Sequence, residues 1–329
     1  MSDLDLGQLD PSLAASLTDG LDQVEEVLRK SLESDFSFVT SASRHLVDAG
    51  GKRFRPLMVL LAAQFGDPRS PGVVESAAVV ELTHLATLYH DDVMDEAELR
   101  RGAPSANARW DNTIAILTGD FLFARASDLL ADLGPEAVRI QAQTFARLVV
   151  GQIKETLGPE SGDDPVDHYL SVVADKTGSL IATSGRFGAL MAGAPPEVIE
   201  RLTEFGELIG VAFQLADDVL DVSSDTSDSG KTPGTDLREG VQTLPVLHAL
   251  TSGRVEDAEL RELLGADLSD SARHERALGL LRTSEAMTRS KQDLERHADA
   301  ARKALDSLPV GPARNALEAL CDAVILRSG

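Results

Sequence analysis

The chain has one cysteine, Cys321, in 329 residues. A single cysteine cannot form an intramolecular disulfide, which excludes the small disulfide-stapled secreted domains and fits a reducing compartment. Its surroundings, LEALCDAVIL, predict a buried thiol on a helix. The N-terminus has no basic segment followed by an apolar run, and no apolar stretch reaches membrane-spanning length. The sequence therefore predicts a cytoplasmic protein without a transmembrane segment.

Basic residues are scarce, since 31 Lys and Arg stand against 54 Asp and Glu, a formal net charge of −23 at pH 7. A field of this sign repels nucleic acid and anionic membrane surfaces, so we expect no nucleic-acid partner. Any anionic ligand must then be bound locally, by grouped cations. The places where the few cations cluster are therefore informative.

Aromatic residues make up only 4% of the chain, and alternating β-branched runs are missing. Both features disfavour a β-sheet. Apolar residues instead recur at three- and four-residue spacing in long segments such as VVESAAVVELTHLATLYH, which is the period of a helix. The sequence predicts an all-α protein, with a flexible segment over residues 1–20 and a single domain over residues 21–329.

Two short acidic motifs stand out, DDVMD at 91–95 and DDVLD at 217–221. On a helix, residues three and four apart share a face, so each set of carboxylates is expected to converge and to repel without a cation. Mg²⁺ suits such oxygens, because it takes one or two carboxylates together with water and substrate phosphates. A solvated acidic face explains one motif but hardly two, each after a long apolar helix. The predicted metal ligands are Asp91, Asp92, Asp95, Asp217, Asp218 and Asp221.

The scarce cations lie beside these motifs. Arg100 and Arg101 follow the first motif and Lys231 follows the second, while GGKRFRP and DKTG contribute Lys52, Arg53, Arg55 and Lys176. A diphosphate can share its oxygens between Mg²⁺ and such groups, because guanidinium binds bidentately and ammonium acts as a point charge. Ordinary surface pairing explains any one of these cations, but not the whole set. The sequence therefore predicts a diphosphate ligand.

Seven segments occur in a fixed order: GGKRFRP, HLATLYHDDVMDEAELRRGAPSAN, GDFLFARA, the GQ of GQIKE, KTGSLIATS, FQLADDVLD and GKTPGTDLREG. This order resembles that of the trans-isoprenyl diphosphate synthases, or polyprenyl synthetases, most of all the bacterial long-chain members. The likeness runs from about residue 45 to 250, and residues 252–295 carry no motif. It implies the isoprenoid synthase fold, a helical bundle around a central cavity, with the two aspartate clusters facing each other across its mouth.

The resemblance also implies a reaction. An allylic diphosphate loses its diphosphate, the double bond of isopentenyl diphosphate attacks the allylic cation, and a proton passes to the departing diphosphate. Preorganised Mg²⁺, Lys and Arg stabilise the charge that builds on the leaving group, and the family implies about two or three Mg²⁺ ions per active site. A homodimer is implied as well.

Roles follow residue by residue from the resemblance. Asp91, Asp95 and Asp217 match the main Mg²⁺ ligands, with Asp92, Asp218 and Asp221 in support and Asp236 near the metal's water shell. The residues expected to hold the allylic diphosphate are Arg100, Lys176, Thr177, Gln214 and Lys231. Those expected to hold isopentenyl diphosphate are Lys52, Arg55, His84 and Arg101. The catalytic set is Asp91, Asp95, Asp217, Lys176, Lys231 and Arg100. If the family resemblance is set aside, the sequence predicts that His84 is a buried core histidine. It then predicts that Thr177 and Gln214 only form hydrogen bonds within the helices.

The helix before Asp91 bears on product length. Thr87, Ala86 and Thr83 lie four, five and eight residues before Asp91, and none is bulky. In short-chain relatives an aromatic residue near the fourth or fifth position closes the product tunnel. One helical turn advances ~5.4 Å, close to one isoprene unit, so the open turns before Asp91 predict room for a long all-trans chain. The resemblance to long-chain members implies roughly seven to ten units, suited to a respiratory quinone such as menaquinone. The alternative is that these small residues only permit close helix packing.

Other functions remain open. A farnesyl or geranylgeranyl diphosphate synthase shares every motif except the length signal. A class I terpene cyclase shares the fold and the first motif, but its second motif mixes Asn, Ser and Glu and it lacks a GGKRxRP site. A noncatalytic synthase subunit typically lacks the aspartate motifs, and a cation-binding scaffold leaves the basic groups unexplained. The sequence favours a prenyltransferase.

Overall fold

A computed structural model of the chain describes residues 8–224 and 233–326. Across these residues the regular structure is almost entirely helical, which confirms the predicted all-α class. The helices in chain order are α1 Pro11–Ser31, α2 Ser37–Asp48, α3 Phe54–Ala63, α4 Val73–Met94, α5 Ala106–Arg109, α6 Asn112–Leu133, α7 Pro135–Leu157, α8 Pro165–Val173, α9 Ser179–Met191, α10 Pro196–Ser223, α11 Thr235–Arg238, α12 Leu244–Leu250, α13 Ala258–Leu264, α14 Ser271–Arg282, α15 Glu285–Ala304 and α16 Pro312–Leu326. Every one of them is too short or too polar to span a lipid bilayer.

Helix α1 begins inside the segment 1–20 that was predicted to be flexible. Its N-cap is Asp10, whose Oδ1 accepts the N–H of Ser12 at 2.9 Å, and Pro11 takes the first helical position. Residues 11–20 are helical, and Leu13 and Leu17 are buried. Ser, Thr, Asp and Gly dilute the apolar period of this stretch, which hid the helix from the sequence pattern. Residues 1–7 lie outside the described residues.

Two short elements depart from the α-helical pattern, and the sequence predicted neither. Strands β1 Leu99–Arg100 and β2 Ala103–Pro104 pair antiparallel. Arg101 and Gly102 join them with φ of 54° and 76°, as in a type I′ turn. A π-helical turn, Ala174–Gly178, connects α8 to α9. Such turns are often found at functional sites, and both elements carry predicted site residues.

The chain divides into two compact units. Unit 1 comprises Met1–Phe145, Leu180–Gly206 and Ser307–Leu317, and it contains the first aspartate motif. Unit 2 comprises Ala146–Ser179, Glu207–Asp306 and Glu318–Gly329, and it contains the second motif. A single domain over residues 21–329 stays a prediction.

Helix α4 is central to unit 1, where it packs on α1, α3 and α6. It buries Leu82, Leu85 and Tyr89 completely. The Tyr89 hydroxyl donates to the Ala42 carbonyl at 2.6 Å and accepts the Leu46 N–H at 3.3 Å. These bonds tie the last turns of α4 to α2, so the helix end that carries Asp91–Asp95 is firmly held.

Residues 252–295, which carry no motif, contribute to the core of unit 2. Leu281 and Met287 from this segment cluster with Val219 and Val222 of α10. Arg282 donates to the carbonyls of Val222 and Ser224, at 2.6 Å each, and so satisfies exposed carbonyls at the end of α10. This segment therefore supports the helix end that bears the second aspartate motif.

Cys321 lies on α16 and is fully buried. Burial raises the pKa of its thiol to about 12. The prediction of a buried helical thiol is confirmed, and the group is protonated at neutral pH.

Candidate active site

The first aspartate motif occupies the end of α4. Asp91 is half-buried, and Asp95, the C-cap residue, is exposed. The C-terminal end of a helix carries a partial negative charge, so carboxylates there are unfavourable unless a cation is near. The last turn of α4 has no basic residue of its own. This location fits a role in binding a cation.

Asp92 is turned toward the protein interior and is 0% exposed. Its Oδ1 accepts from Nε of Arg100, and its Oδ2 has no hydrogen-bond partner. Burial raises the pKa of Asp92, and the Arg100 guanidinium acts against that rise. Because successive helical residues are rotated by about 100°, the prediction that all three carboxylates share one face is wrong for Asp92. Its charge is used to fix Arg100, at the start of the hairpin.

The second motif lies at the end of α10. Asp217 is half-buried, whereas Asp218 is 2% exposed. Asp218 accepts from Nε2 of Gln214 at 3.2 Å, from the Leu244 N–H at 3.1 Å and from the Tyr169 hydroxyl. Burial raises the pKa of Asp218 to about 7, although these hydrogen bonds act to lower it. The carboxylate thus joins α8, α10 and the start of α12.

Asp221 anchors the segment that returns after the second motif. Its carboxylate accepts the N–H groups of Thr235 at 3.1 Å and Asp236 at 3.3 Å. Gly234 has φ 69°, and a Cβ there would lie 2.8 Å from the His274 ring, so this turn requires glycine. Asp236 is therefore held beside the motif, and its place near the water shell of a metal stays a prediction. Lys231 lies outside the described residues.

The carboxylates present fit Mg²⁺ as part of its ligand shell. Within residues 8–224 and 233–326, no three His, Cys, Asp or Glu side chains are grouped closely enough to hold a metal ion by themselves. Mg²⁺ seldom uses an all-protein cage; it takes one or two carboxylates and completes its shell with water and phosphate oxygens. Asp91 and Asp95, which are not fully buried, are the carboxylates of the first motif that can take this role.

The π-helical turn positions Lys176 and Thr177 in unit 2. A Cβ on Gly151 of α7 would lie 2.8 Å from Cβ of Asp175 and 3.2 Å from the Lys176 nitrogen, so the close approach of α7 to the turn requires glycine. Thr177 Oγ1 contacts Oε1 of Gln214 at 3.4 Å. Thr177, Gln214 and Asp218 therefore form one hydrogen-bonded row.

Ion pairs hold the same turn from the other side. Asp175 accepts from Nε of Arg147 at 3.0 Å and from Nζ of Lys154 at 2.7 Å. Lys176 pairs with Glu155. A diphosphate that binds the Lys176 ammonium would therefore have to replace the Glu155 carboxylate as its partner.

Three arginines and a histidine gather in unit 1. The type I′ turn directs Arg101 to the carbonyls of Leu46, at 2.9 Å, and Gly50. A Cβ on Gly51 would lie 2.7 Å from guanidinium nitrogens of both Arg53 and Arg101, so the glycine allows the loop to wrap around these two groups. Arg53 and Arg101 both have positive φ, which is the kind of backbone strain found at functional sites.

Arg55 and His84 belong to the same cluster. Burial and the nearby Arg101 lower the pKa of Arg55 to about 10, and its Nε is buried without a hydrogen-bond partner. Burial, followed by the charges of four arginines, lowers the pKa of His84 well below its ordinary value. The structure therefore brings together Arg55, His84 and Arg101 from the predicted isopentenyl diphosphate set, and Lys52 lies exposed in the adjoining loop.

Sequence reasoning missed Glu81, which is 2% exposed at the base of this cluster. Its Oε1 lies 3.2 Å from Nη1 of Arg53 and 4.0 Å from Nη2 of Arg101. The available signal was a carboxylate in the middle of the apolar run VVELTHL, since a buried Glu needs charged partners.

The predicted chain-length residues lie along α4. Thr83 and Ala86 are fully buried and Thr87 is half-buried. The hydroxyls of Thr83 and Thr87 each donate at 2.8 Å to a carbonyl of their own helix, and Gln141 donates to Thr83 at 2.7 Å. No aromatic ring occupies these three positions.

An all-helical fold with two aspartate motifs and an arginine cluster is the combination that the sequence analysis associated with the polyprenyl synthetases. Comparisons with known proteins specify the class. Residues 37–281 match the polyprenyl synthetase family. The chain is 50% identical over 327 residues to a nonaprenyl diphosphate synthase of Mycobacterium tuberculosis, covering 99% of this chain and 97% of that protein.

Two further similar proteins have other names. A dimethylallyltranstransferase of Mycobacterium tuberculosis is 43% identical, with 96% of each chain covered. The crystal structure of a geranylgeranyl pyrophosphate synthase from Corynebacterium glutamicum, complexed with calcium and isoprenyl diphosphate, has a TM-score of 0.88 and 47% identity, covering 97% of this chain and 98% of that chain.

The chain therefore belongs to the polyprenyl synthetase family. It is a prenyltransferase of the trans-polyprenyl diphosphate synthase type, as the sequence predicted.

Proposed function

We propose that this enzyme joins isopentenyl diphosphate to an allylic diphosphate, head to tail and with Mg²⁺, and repeats the step to a long all-trans polyprenyl diphosphate in the cytoplasm, for a respiratory quinone side chain. The observation that carries the length is the identity of Ala86 and Thr87 on α4, where a bulky ring would stop the growing chain. Likeness to a nonaprenyl diphosphate synthase over nearly the whole chain supports it.

The metal roles are assigned to the outer aspartates. Asp91, Asp95 and Asp217 would hold Mg²⁺, which when bound neutralises charge on the leaving diphosphate. Asp92, Asp218 and Asp221 act through the protein. Asp92 fixes Arg100, Asp218 holds Gln214, and Asp221 holds the backbone before Asp236.

Binding of the allylic diphosphate is assigned to Arg100, Lys176, Thr177, Gln214 and Lys231. In this proposal Lys176 leaves Glu155 and donates to a diphosphate oxygen. The new contact is a charge-assisted hydrogen bond, which is stronger than a hydrogen bond between neutral groups. These cations stabilise the diphosphate most when its charge grows during departure, so they lower the barrier and not only the KM. Isopentenyl diphosphate is assigned to Lys52, Arg55, His84 and Arg101.

A homodimer is part of the proposal. Helix α7 exposes Val149, Val150, Ile153 and Leu157 of unit 2 along one stripe, with Ile153 52% and Leu157 79% exposed. An apolar stripe of this kind is suited to burial against the same stripe of a second copy.

The decisive experiment incubates the enzyme with Mg²⁺, isopentenyl diphosphate and farnesyl diphosphate and sizes the dephosphorylated products. We expect a chain of roughly seven to ten units, the size range of the long-chain synthases that the chain resembles. Ala86→Phe should shorten it to about four units while still consuming the primer, because a packed wall does not yield to added volume. Ala86→Ser is the matched control and should leave the length unchanged.

A short-chain synthase is the second candidate, favoured by the 47% identity to a protein named geranylgeranyl pyrophosphate synthase. The same incubation decides between them. A wild-type product that stops at geranylgeranyl diphosphate, or an Ala86→Phe product of wild-type length, rejects the proposed role of this α4 face.

A further inference from the structure

Glu81 lies beneath the arginine cluster of unit 1, and none of the roles assigned above uses it. It is on α4, three residues before His84, so both side chains emerge from the same side of the helix. Its carboxylate is 2% exposed and lies 3.2 Å from Arg53 and 4.0 Å from Arg101. A carboxylate this deep is costly unless cations are close to it.

The cations around Glu81 repel one another. The charge of Arg101 lowers the pKa of Arg55, and the charges of Arg53 and Arg100 lower the pKa of Arg101. Glu81 acts in the opposite sense on Arg53, Arg55 and Arg101. One buried negative charge thus reduces the repulsion among three guanidinium groups.

The contacts also show where the neutralising charge is placed. Glu81 forms an ion pair with Nη1 of Arg53, whose side chain is 11% exposed. The Nε of Arg53 pairs with Glu25 of α1. Arg101 has its Nη1 engaged by the Leu46 and Gly50 carbonyls. Arg55 keeps a buried Nε without a hydrogen-bond partner. Glu81 therefore pairs with Arg53. The Nε–H of Arg55 remains a donor that an anion can use.

We propose that Glu81 is a positioning residue for isopentenyl diphosphate. By holding Arg53 and partly neutralising Arg101, it lets Arg55 and Arg101 stay close enough to bind the two phosphates of one diphosphate. The inference rests on the assignment of Lys52, Arg55, His84 and Arg101 to that substrate. It adds a residue that contacts no substrate and acts through arginines.

Glu81→Gln separates positioning from simple charge. The amide has the shape of the carboxylate but no charge, so on charge alone the cluster becomes more positive and should bind a diphosphate more tightly. If Glu81 positions the arginines, their unrelieved repulsion spreads them and binding weakens. We expect the affinity for isopentenyl diphosphate to fall by about tenfold or more.

Binding is measured by titration calorimetry with isopentenyl diphosphate alone, in EDTA and without an allylic primer, so neither metal nor turnover enters. Steady-state assays should then show a raised KM for isopentenyl diphosphate and an unchanged KM for the allylic primer. Glu25→Gln is the matched control. It removes the same charge from a partly exposed residue that contacts Arg53 but not Arg101, and should change the affinity by less than about twofold.

The outcomes are distinct. Equal or tighter binding by folded Glu81→Gln overturns the inference while leaving the substrate assignment intact. A wild-type protein that does not bind isopentenyl diphosphate overturns the assignment and the inference together. If Glu81→Gln melts below the assay temperature, Glu81→Asp replaces it. That variant keeps the charge but withdraws it by one methylene, and wild-type affinity in it overturns the inference.

Discussion

At the scale of single residues, the aspartate motifs contain carboxylates with different surroundings. Asp92 and Asp218 are buried and bonded to protein groups, whereas Asp95 is exposed and Asp91 and Asp217 are half-buried. Removing a buried carboxylate such as that of Asp218 lowers the free energy of unfolding, because the groups that donate to it lose their acceptor. An outer carboxylate at a helix C-terminus lowers stability until a cation binds.

Alanine substitution should separate these two kinds of aspartate. Asp91→Ala and Asp217→Ala should each remove most turnover and leave the melting temperature of the metal-free protein unchanged or slightly raised. Asp218→Ala should lower that temperature by about 2–6 °C, since it leaves the Tyr169 hydroxyl, the Leu244 N–H and the Gln214 amide without their acceptor. Calorimetric melting in EDTA and assays at saturating Mg²⁺ measure both effects. Near-normal turnover of Asp91→Ala or Asp217→Ala would reject the metal-binding role.

His84 gives a pH dependence with a defined sign. Its pKa in the folded protein is lowered well below 6.5 by burial and by Arg55, Arg101, Arg100 and Arg53. The unfolded chain therefore takes up this proton first as the pH falls, so the contribution of His84 to stability is present above 6.5 and is lost below it.

We expect the free energy of unfolding to fall between pH 7.5 and pH 5.5 by less in His84→Asn than in the wild type. Denaturant titrations at the two pH values measure the difference. An identical pH dependence in both proteins would show that His84 is not held neutral.

At the scale of secondary-structure elements, two non-α features carry much of the site. The turn at Arg101–Gly102 sends Arg100 to Asp92 and Arg101 to the carbonyls of Leu46 and Gly50. The π-helical turn brings Thr177 to Gln214. The sequence motifs RRG and DKTG marked both places but gave no conformation, because each is stabilised by contacts with helices distant in sequence.

Gly151→Ala tests the packing of α7 on the π-helical turn. The added methyl would lie 3.2 Å from a backbone nitrogen of Lys176, so the turn must shift. We expect kcat to fall roughly tenfold, because catalysis depends on placement to within about 1 Å. Gly279→Ala in α14 is the control, since nothing lies within 4 Å of its added methyl. It should retain kcat and stabilise the protein by about 1 kcal/mol, and an equal loss of kcat in both variants would contradict the packing argument.

At the scale of the whole molecule, a net charge of −23 opposes the approach of anions, while Arg and Lys are placed where a diphosphate is expected. Enzyme and substrate thus carry the same sign of charge overall. Binding therefore depends on local groups and on Mg²⁺, and raising the salt concentration should weaken it less than it would for a cationic protein.

The proposed dimer is tested by light scattering at micromolar concentration, where we expect about twice the 35.0 kDa chain mass. Ile153→Glu, in the exposed stripe of α7, should shift the protein toward the monomer by placing a charge in a buried apolar contact. Val255→Glu, at a residue that is 83% exposed outside the stripe, should not. A wild-type monomer would reject the dimer.

The sequence by itself determined the helical class, the family and the residue types of both aspartate motifs. These properties depend on local periodicity and on short motifs whose chemistry needs particular side chains. Thr177 and Gln214 lie on the π-helical turn and on α10, and the structure brings them into contact.

Only the tertiary structure decided which aspartates face inward, how Arg100 and Arg101 diverge, and that Glu81 lies beneath the arginines. Each of these depends on partners far away in the chain: Tyr169 for Asp218, the Gly50 carbonyl for Arg101, and Arg53 for Glu81. A buried charge is tolerated only where the fold supplies its counter-charge. No local pattern contains that information, because the counter-charge is chosen by packing.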